Sequence, residues 1–350
     1  MDWFYDPERS YEDNYANGPF GAFAGPAPAL RMPAVSHEFL GVEVASPFGI
    51  PAGPLVNARF CAAAFAHGFD VNVYKTVRSR AVPCHPHPNV LNVDAPVPLT
   101  LERARQPLVA SAHYEGARSI SNSFGVPSQD PAVWQPDMAA AAAAAGPGQF
   151  LIGSFQGTRG GGEEAYIADH VTTARLAADT GVRALELNLS CPNEGTGNLL
   201  CFDTPMVTRI VRVVRDEIGD LPLILKLAFF QDWGALTQLV QATHLLVDGY
   251  AAINTIAAPL VDSEGHPALP GEGREVSGVC GEAISWAGFE MVDRLVRIRA
   301  LLGGEFAIVG VGGVMDAGDA SEMLAVGADA VMSATGSMID PALGAAVRAA

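Results

Sequence analysis

The chain is short of positive charge. It carries 21 lysines and arginines against 38 acidic residues, a formal net charge of −17 at pH 7. A surface of that sign repels phosphate backbones and anionic bilayers, so neither nucleic acid nor a membrane is an expected partner. An anionic substrate would need lysines and backbone amides placed locally. Cysteine is scarce as well: Cys61, Cys84, Cys191, Cys201 and Cys280 make five. An odd count in a long chain argues against a disulfide framework and for a reducing compartment. The cysteines do not cluster as iron–sulfur ligands do. Cys84-His85-Pro86-His87 has no standard zinc spacing and no second cluster, so no metal is expected. No apolar run reaches the length of a membrane span. The start, Met1-Asp2-Trp3-Phe4-Tyr5, lacks the basic-then-apolar layout of a signal peptide. The expectation is a soluble, cytoplasmic protein.

What is present is a core-forming composition: 49% apolar and 17% charged residues over 350 positions, with 37 glycines and 25 prolines. That excludes a disordered chain and suggests many tight connections. Short β-prone runs at 48–52, 71–75, 150–154, 184–188, 223–226, 250–254, 307–311 and 330–333 alternate with longer helical stretches. The helical stretches include 163–180, 205–218, 232–247 and 288–302. Pro205 suits a first helical turn and Gly181 a helix end. The alanine run 139–145 is a strong helix former stopped by Gly146-Pro147. Strands alternating with helices argue for a parallel sheet, and eight apolar repeats predict a closed (β/α)8 barrel, the TIM barrel. Two connections are long, 77–134 after the second strand and 255–287 after the sixth, as lids or site walls are. Residues 1–35 stand apart, acidic and then rich in Gly, Pro and Ala. They read as an extension, either an arm packed on the barrel or a neighbouring subunit, or a partly ordered tail. Residues 36–350 then form one catalytic domain.

In a barrel of this kind the chemistry lies at the C-terminal ends of the strands. There the chain places Lys75-Thr76, Asn188 with Cys191 and Asn193 just beyond, Lys226, Asn254-Thr255, Gly312-Gly313 and Thr335-Gly336. Unpaired polar groups at buried strand ends are costly unless a ligand or partner takes them. The glycine turns after strands seven and eight let backbone amides approach a ligand, and helix N-termini behind them would add positive potential. Together they predict a phosphate-bearing cofactor.

These residues also carry a resemblance. The segment Glu186-Leu187-Asn188-Leu189-Ser190-Cys191-Pro192-Asn193 resembles the signature of dihydroorotate dehydrogenases, and Asn122-Ser123-Phe124-Gly125-Val126-Pro127 the family's substrate loop. The pieces around Lys75, Lys226, Asn254 and Gly312 follow in the family's order, so the likeness covers about residues 40–345. It implies FMN as prosthetic group and oxidation of (S)-dihydroorotate to orotate in pyrimidine biosynthesis. Cysteine at the base position resembles class 1. By the same resemblance Cys191 takes the C5 proton, the hydride goes to flavin N5, Lys226 steadies the flavin's developing negative charge, and Lys75 sits where FMN and substrate meet. Asn122, Asn188, Asn193, Asn254 and Thr255 would hold the pyrimidine, with the backbone of Phe124, Gly125 and Val126 at its carboxylate. Ala52, Gly53, Thr76, Ser154, Gly278, Gly312, Gly313, Thr335 and Gly336 would join Lys75, Asn188 and Lys226 around FMN. A homodimer is the family expectation. Fumarate fits its soluble subclass as electron acceptor, while an iron–sulfur partner subunit fits the other.

The chain departs from the family in its 1–35 extension, in the long loop before Asn122, in Pro86-His87-Pro88-Asn89 where Pro-x-Pro-Arg is frequent, and in Asn254-Thr255 where class 1 commonly has Asn-Ser. Asn-Thr is similar to dihydropyrimidine dehydrogenases. The alternative is therefore an FMN enzyme acting on another cyclic, dihydropyrimidine-like substrate. A flavin- or phosphate-binding barrel without turnover, serving as partner or sensor, is a third reading, and the Cys191, Lys226 and asparagine set opposes it.

Overall fold

A computed structural model of the protein describes residues 2–30, 37–190 and 199–350. Eight short strands run parallel: β1 (Phe48–Gly49), β2 (Val71–Val77), β3 (Phe150–Phe155), β4 (Ala184–Asn188), β5 (Leu223–Leu227), β6 (Gly249–Ala252), β7 (Ala307–Val311) and β8 (Ala330–Met332). Their order in the sheet is β1-β8-β7-β6-β5-β4-β3-β2. The seam between β1 and β2 is bridged by backbone bonds, Asp70 N to Phe48 O at 2.8 Å and Val73 N to Ile50 O at 2.9 Å. The Asn72 side chain completes the seam by accepting from Ile50 N at 3.0 Å. The parallel barrel expected from the alternating pattern is therefore present. Its first strand, expected over 48–52, shrinks to two residues because the backbone beyond Gly49 bonds across the seam instead.

Helices follow the strands and cover the outer face, which is why the strands read as unbroken apolar runs. Local chemistry sets their ends. Asp203 and Asp232 cap the helices Thr204–Ile218 and Trp233–Thr243, with Pro205 in the first turn of the former. The helix Ser285–Leu302 stops at Gly303, which takes the left-handed conformation at φ 59°. In Thr204–Ile218 the buried residues are Val207, Ile210, Val211 and Val214, one stripe at helical spacing turned to the barrel.

The two long connections are not bare lids. They contribute the strands Asn92–Asp94, Leu108–Ser111, Ser119–Asn122, Ile256–Val261 and Val276–Gly281, which close into a second, five-stranded ring. Only the pairing of one insertion with the other completes that ring: Val276–Gly281 runs antiparallel to Ser119–Asn122, and Ile256–Val261 runs parallel to Leu108–Ser111. At the other end of the barrel a hairpin, His37–Phe39 and Val42–Val44, plugs the lumen. Its Phe39 meets Phe150 edge-on at 5.5 Å.

Of the readings open for the N-terminal segment, the described part packs on the barrel. Ser10 caps a helix over Tyr11–Asn17, and Trp3, Phe4, Tyr5, Tyr11 and Phe23 are buried in the main apolar core. Phe4 stacks on Phe23 at 4.2 Å and meets Phe60 of the first barrel helix edge-on at 6.4 Å. Phe4 is fully buried, and removing such a ring typically costs about 3–5 kcal/mol. Phe4→Ala should lower the free energy of urea unfolding by that amount. A loss below about 1 kcal/mol would show the segment to be a weakly held tail.

Candidate active site

Strand alternation builds the site. Successive inward positions are Val71, Val73 and Lys75 on β2, Phe150, Ile152 and Ser154 on β3, Ala184, Glu186 and Asn188 on β4, and Ile224 and Lys226 on β5. The lower ones pack with Phe39, Val44 and Val309 into one apolar plug. The upper ones are polar, and registration keeps them level: Ser154 lies opposite Glu186, and Asn188 opposite Lys226. The register of β2 on β3 slips between Tyr74 and Val77, a bulge that brings both Lys75 and Thr76 to the rim. Over this layer lies a cavity of about 1020 Å³, mouth included.

The layer is dry and nearly fully partnered. Lys75 and Lys226 are the only lysines in the chain, and both are buried. Glu186, also buried, is the counter-charge to Lys226. Burial pushes the Glu186 carboxyl up, opposed by the Lys226 charge and a bond from Ser154, and burial pushes Lys226 down, opposed by Glu186. Ser154 is bonded to Thr76 at 3.0 Å. Asn188 donates to Gln156 Oε1 at 2.7 Å and Asn254 to Ser190 Oγ at 3.1 Å. Among the described residues, four side chains bordering the cavity carry a buried oxygen with no hydrogen-bond partner: Tyr5 Oη, Glu186 Oε1, Thr255 Oγ1 and Thr335 Oγ1. Orphans of this kind collected at one cavity point to a ligand that satisfies them.

The loop after Asn122 is held from behind. Val126, a β-branched residue, sits at φ 49°, a strained conformation, and its carbonyl accepts from Arg78 Nε at 3.0 Å. The carbonyl of Phe124 accepts from His85 N at 3.0 Å. Gly125, at φ 77°, leaves no room for a side chain, because a Cβ would lie 2.4 Å from His85 Nε2. Arg274, buried in the second insertion, makes five hydrogen bonds: to Ser123 Oγ and to the carbonyls of Pro86, Pro88, Ser123 and Pro270 at 2.6–3.0 Å. One guanidinium thus ties together both insertions.

The glycine turns are tight on their outer side. A Cβ at Gly313, φ 72°, would lie 2.3 Å from Ser285 Cα, and one at Gly336 would lie 2.4 Å from Val314 O. In sequence these glycines adjoin Val311 and Thr335 of the cavity wall. The expected help from a helix N-terminus is absent after β7. The helix Ala317–Val326 is capped by its own Asp316 and Asp319, whose carboxylates take the amides of Asp319, Met315 and Asp316.

The cavity brings together Ala52, Gly53, Lys75, Thr76, Asn122, Phe124, Val126, Asn188, Lys226, Asn254, Thr255 and Thr335. Ser154, Gly125, Gly312, Gly313 and Gly336 do not border it. Gly278 does not border it either: it pairs with Asn122, and a Cβ there would strike Thr255 Oγ1 at 2.3 Å. Its service is to make room for Thr255. Cys191 and Asn193 lie outside the described residues. Sequence reasoning missed Glu186 and Tyr5 as lining groups. Period-two spacing from Ala184 to Asn188 carried a signal for the first, and nothing local carried one for the second. Cys280 also borders the cavity, its thiol pushed up to about 11 by burial. Among the described residues no group of His, Cys, Asp and Glu could hold a metal ion, and no helix is long and apolar enough to cross a membrane.

Residues 122–346 match the family model described as dihydroorotate dehydrogenase. A "Dihydroorotate dehydrogenase" of Dictyostelium discoideum is 34% identical over 359 residues, covering 97% of this chain and 96% of that protein. Two proteins named "Dihydroorotate dehydrogenase B (NAD(+)), catalytic subunit", from Maridesulfovibrio salexigens and Desulforudis audaxviator, are 31% and 33% identical over 47% and 50% of this chain. The chain spans about half of their length, 52% and 54%.

A buried histidine beneath the Gln156–Gly157 turn gives the site's surroundings a pH dependence. His170 Nδ1 is bonded to Tyr166 O at 2.9 Å, while Nε2 is buried with no partner among the described residues. Burial pushes the imidazole down to about 4. The unfolded chain, with a pKa near 6.5, therefore binds the proton first, so this stabilisation is complete above about pH 6.5 and is lost as the pH falls towards 4. Its slope is at most about 1.4 kcal/mol per pH unit. His170→Gln should flatten the fall in unfolding free energy between pH 6.5 and 4 relative to wild type. Parallel curves for the two proteins would refute the assignment.

Proposed function

The chain belongs to the dihydroorotate dehydrogenase family, and from that premise we propose that it oxidises (S)-dihydroorotate to orotate in pyrimidine biosynthesis. The observation that carries this reading is the buried layer of Lys75, Asn188 and Lys226, with the half-buried Asn254 beside it, at one cavity, in a protein whose only two lysines both lie there. With 38 acidic residues in the chain, those two ammonium groups give an anionic ring the local positive charge it needs.

The residues present fit FMN, the family's prosthetic group. The glycine turns at Gly312, Gly313 and Gly336 adjoin Val311 and Thr335 of the cavity wall, the Thr335 hydroxyl has no partner among the described residues, and Lys226 and Lys75 border the cavity. FMN, when bound, supplies the acceptor for the substrate's hydride. Lys226 would hold positive charge against the group as it is reduced, with Glu186 as its counter-charge. Asn122, Asn188, Asn193, Asn254 and Thr255 would orient the pyrimidine. Asparagine suits this because it donates and accepts without changing charge. The backbone of the Phe124–Val126 loop would take the carboxylate. Cys191 would remove the C5 proton as thiolate, which needs a lowered pKa or an alkaline working pH. As acceptor for the second half of the cycle we propose fumarate, with the chain a cytoplasmic homodimer. End-to-end likeness to one relative, against half-length likeness to catalytic subunits, supports a self-contained catalytic chain.

Under anaerobic conditions the purified protein should show a flavin absorption band that bleaches on addition of dihydroorotate. A band that does not change would reject the substrate and leave another cyclic, dihydropyrimidine-like compound in its place. Cys191→Ser should keep its flavin and lose on the order of 10²–10⁴ in the rate of that bleaching. An unaltered rate would remove Cys191 from the role of base.

A further inference from the structure

Tyr5 is the only described residue of the N-terminal segment that borders the cavity. Its ring meets Phe124 edge-on, centroids 5.8 Å apart and planes at 83°. Its hydroxyl is buried and has no hydrogen-bond partner among the described residues. The backbone on either side is fixed: Phe4 O accepts from Phe20 N at 2.9 Å, and Asp6 N donates to Asn14 Oδ1 at 2.9 Å. The Asn14 amide returns a bond to Asp6 O at 2.9 Å. Tyr11 backs the same Phe124 ring from the side, at 6.2 Å. The phenol is thus held against the loop that follows Asn122, with nothing among the described residues to receive its proton. Burial first, with smaller contributions from neighbouring acidic groups, keeps the phenol well above its ordinary pKa, so it remains a donor.

A lone buried donor weakens the ligand-free fold and is repaid when an acceptor arrives. The cavity its ring lines is where an acceptor can come from. We propose that the Tyr5 hydroxyl is a specificity-determining hydrogen-bond donor to an oxygen of the bound anionic heterocycle, so that the N-terminal segment completes the substrate site. The proposal rests on the dihydroorotate reading above.

The test compares wild-type and Tyr5→Phe full-length holoprotein. Orotate affinity is read from the shift of the flavin spectrum and counted per bound flavin, which confines the comparison to folded protein. Melting temperature is taken with and without orotate. Y5F should bind orotate about tenfold more weakly. Without ligand it should melt at the same temperature or higher, because it no longer buries an unpaired hydroxyl. The control is Tyr114→Phe, whose hydroxyl donates to Val90 O at 3.0 Å; it should melt earlier and bind orotate as wild type does. Affinity unchanged within twofold in Y5F would overturn the proposal, as would an equal loss in both variants. If wild type neither binds orotate nor bleaches with dihydroorotate, the substrate reading falls and this inference with it. If wild type does both and Y5F matches it, only the role of Tyr5 falls.

Discussion

The barrel lumen admits side chains only at alternate positions of each strand, and everything at the site follows from how those positions are spent. The lower layers are Val, Ile, Phe and Ala, close-packed with the Phe39 hairpin. The uppermost layer is ionic and amide. Placing Lys226 and Glu186 on adjacent strands in a water-poor lumen is expensive for either alone, and each is the other's compensation. The apolar plug packs the lumen below, and residues of the ring of five strands, Ile120, Ser121, Asn122 and Cys280, border the cavity above. Charges held in this way interact more strongly with a ligand than the same charges on a surface would.

The walls come from segments far apart in sequence. The ring closes only when both insertions are present, and Arg274 from the second reaches the backbone of the first at Pro86, Pro88 and Ser123. Gly278 gives Thr255 its space while pairing with Asn122. The N-terminal segment then packs on the outside of Phe124. Shape at the mouth of the cavity is thus a joint property of three stretches of chain, whereas the floor belongs to the barrel strands.

Much of this was legible in the sequence. Strands buried on both faces must read as short apolar runs, and a polar residue closing such a run stands out, which is how Lys75, Asn188 and Lys226 were found. The glycines expected at the cofactor were legible as turns, but their geometry was not. Gly278 proved a spacer, and the helix after Gly313 is capped by its own Asp316 rather than left open to an anion. Glu186 was overlooked because attention fell on strand ends, although alternation from Asn188 places it inward. The ring was illegible because its strands are three to six residues long and the two pairings that join one insertion to the other span more than a hundred positions. Tyr5 reached the site through tertiary packing of an aromatic cluster, for which no local pattern exists.

The distribution of lysine has a practical meaning. Nineteen arginines serve the rest of the molecule, and the two lysines, Lys75 and Lys226, are both withdrawn from solvent. The folded surface therefore offers no side-chain amine. Acylating reagents, aldehyde cross-linkers and enzymes that modify ε-amino groups would find only the α-amino terminus until the barrel opens. Isotope-labelled lysine would report the floor of the cavity with two resonances and no background.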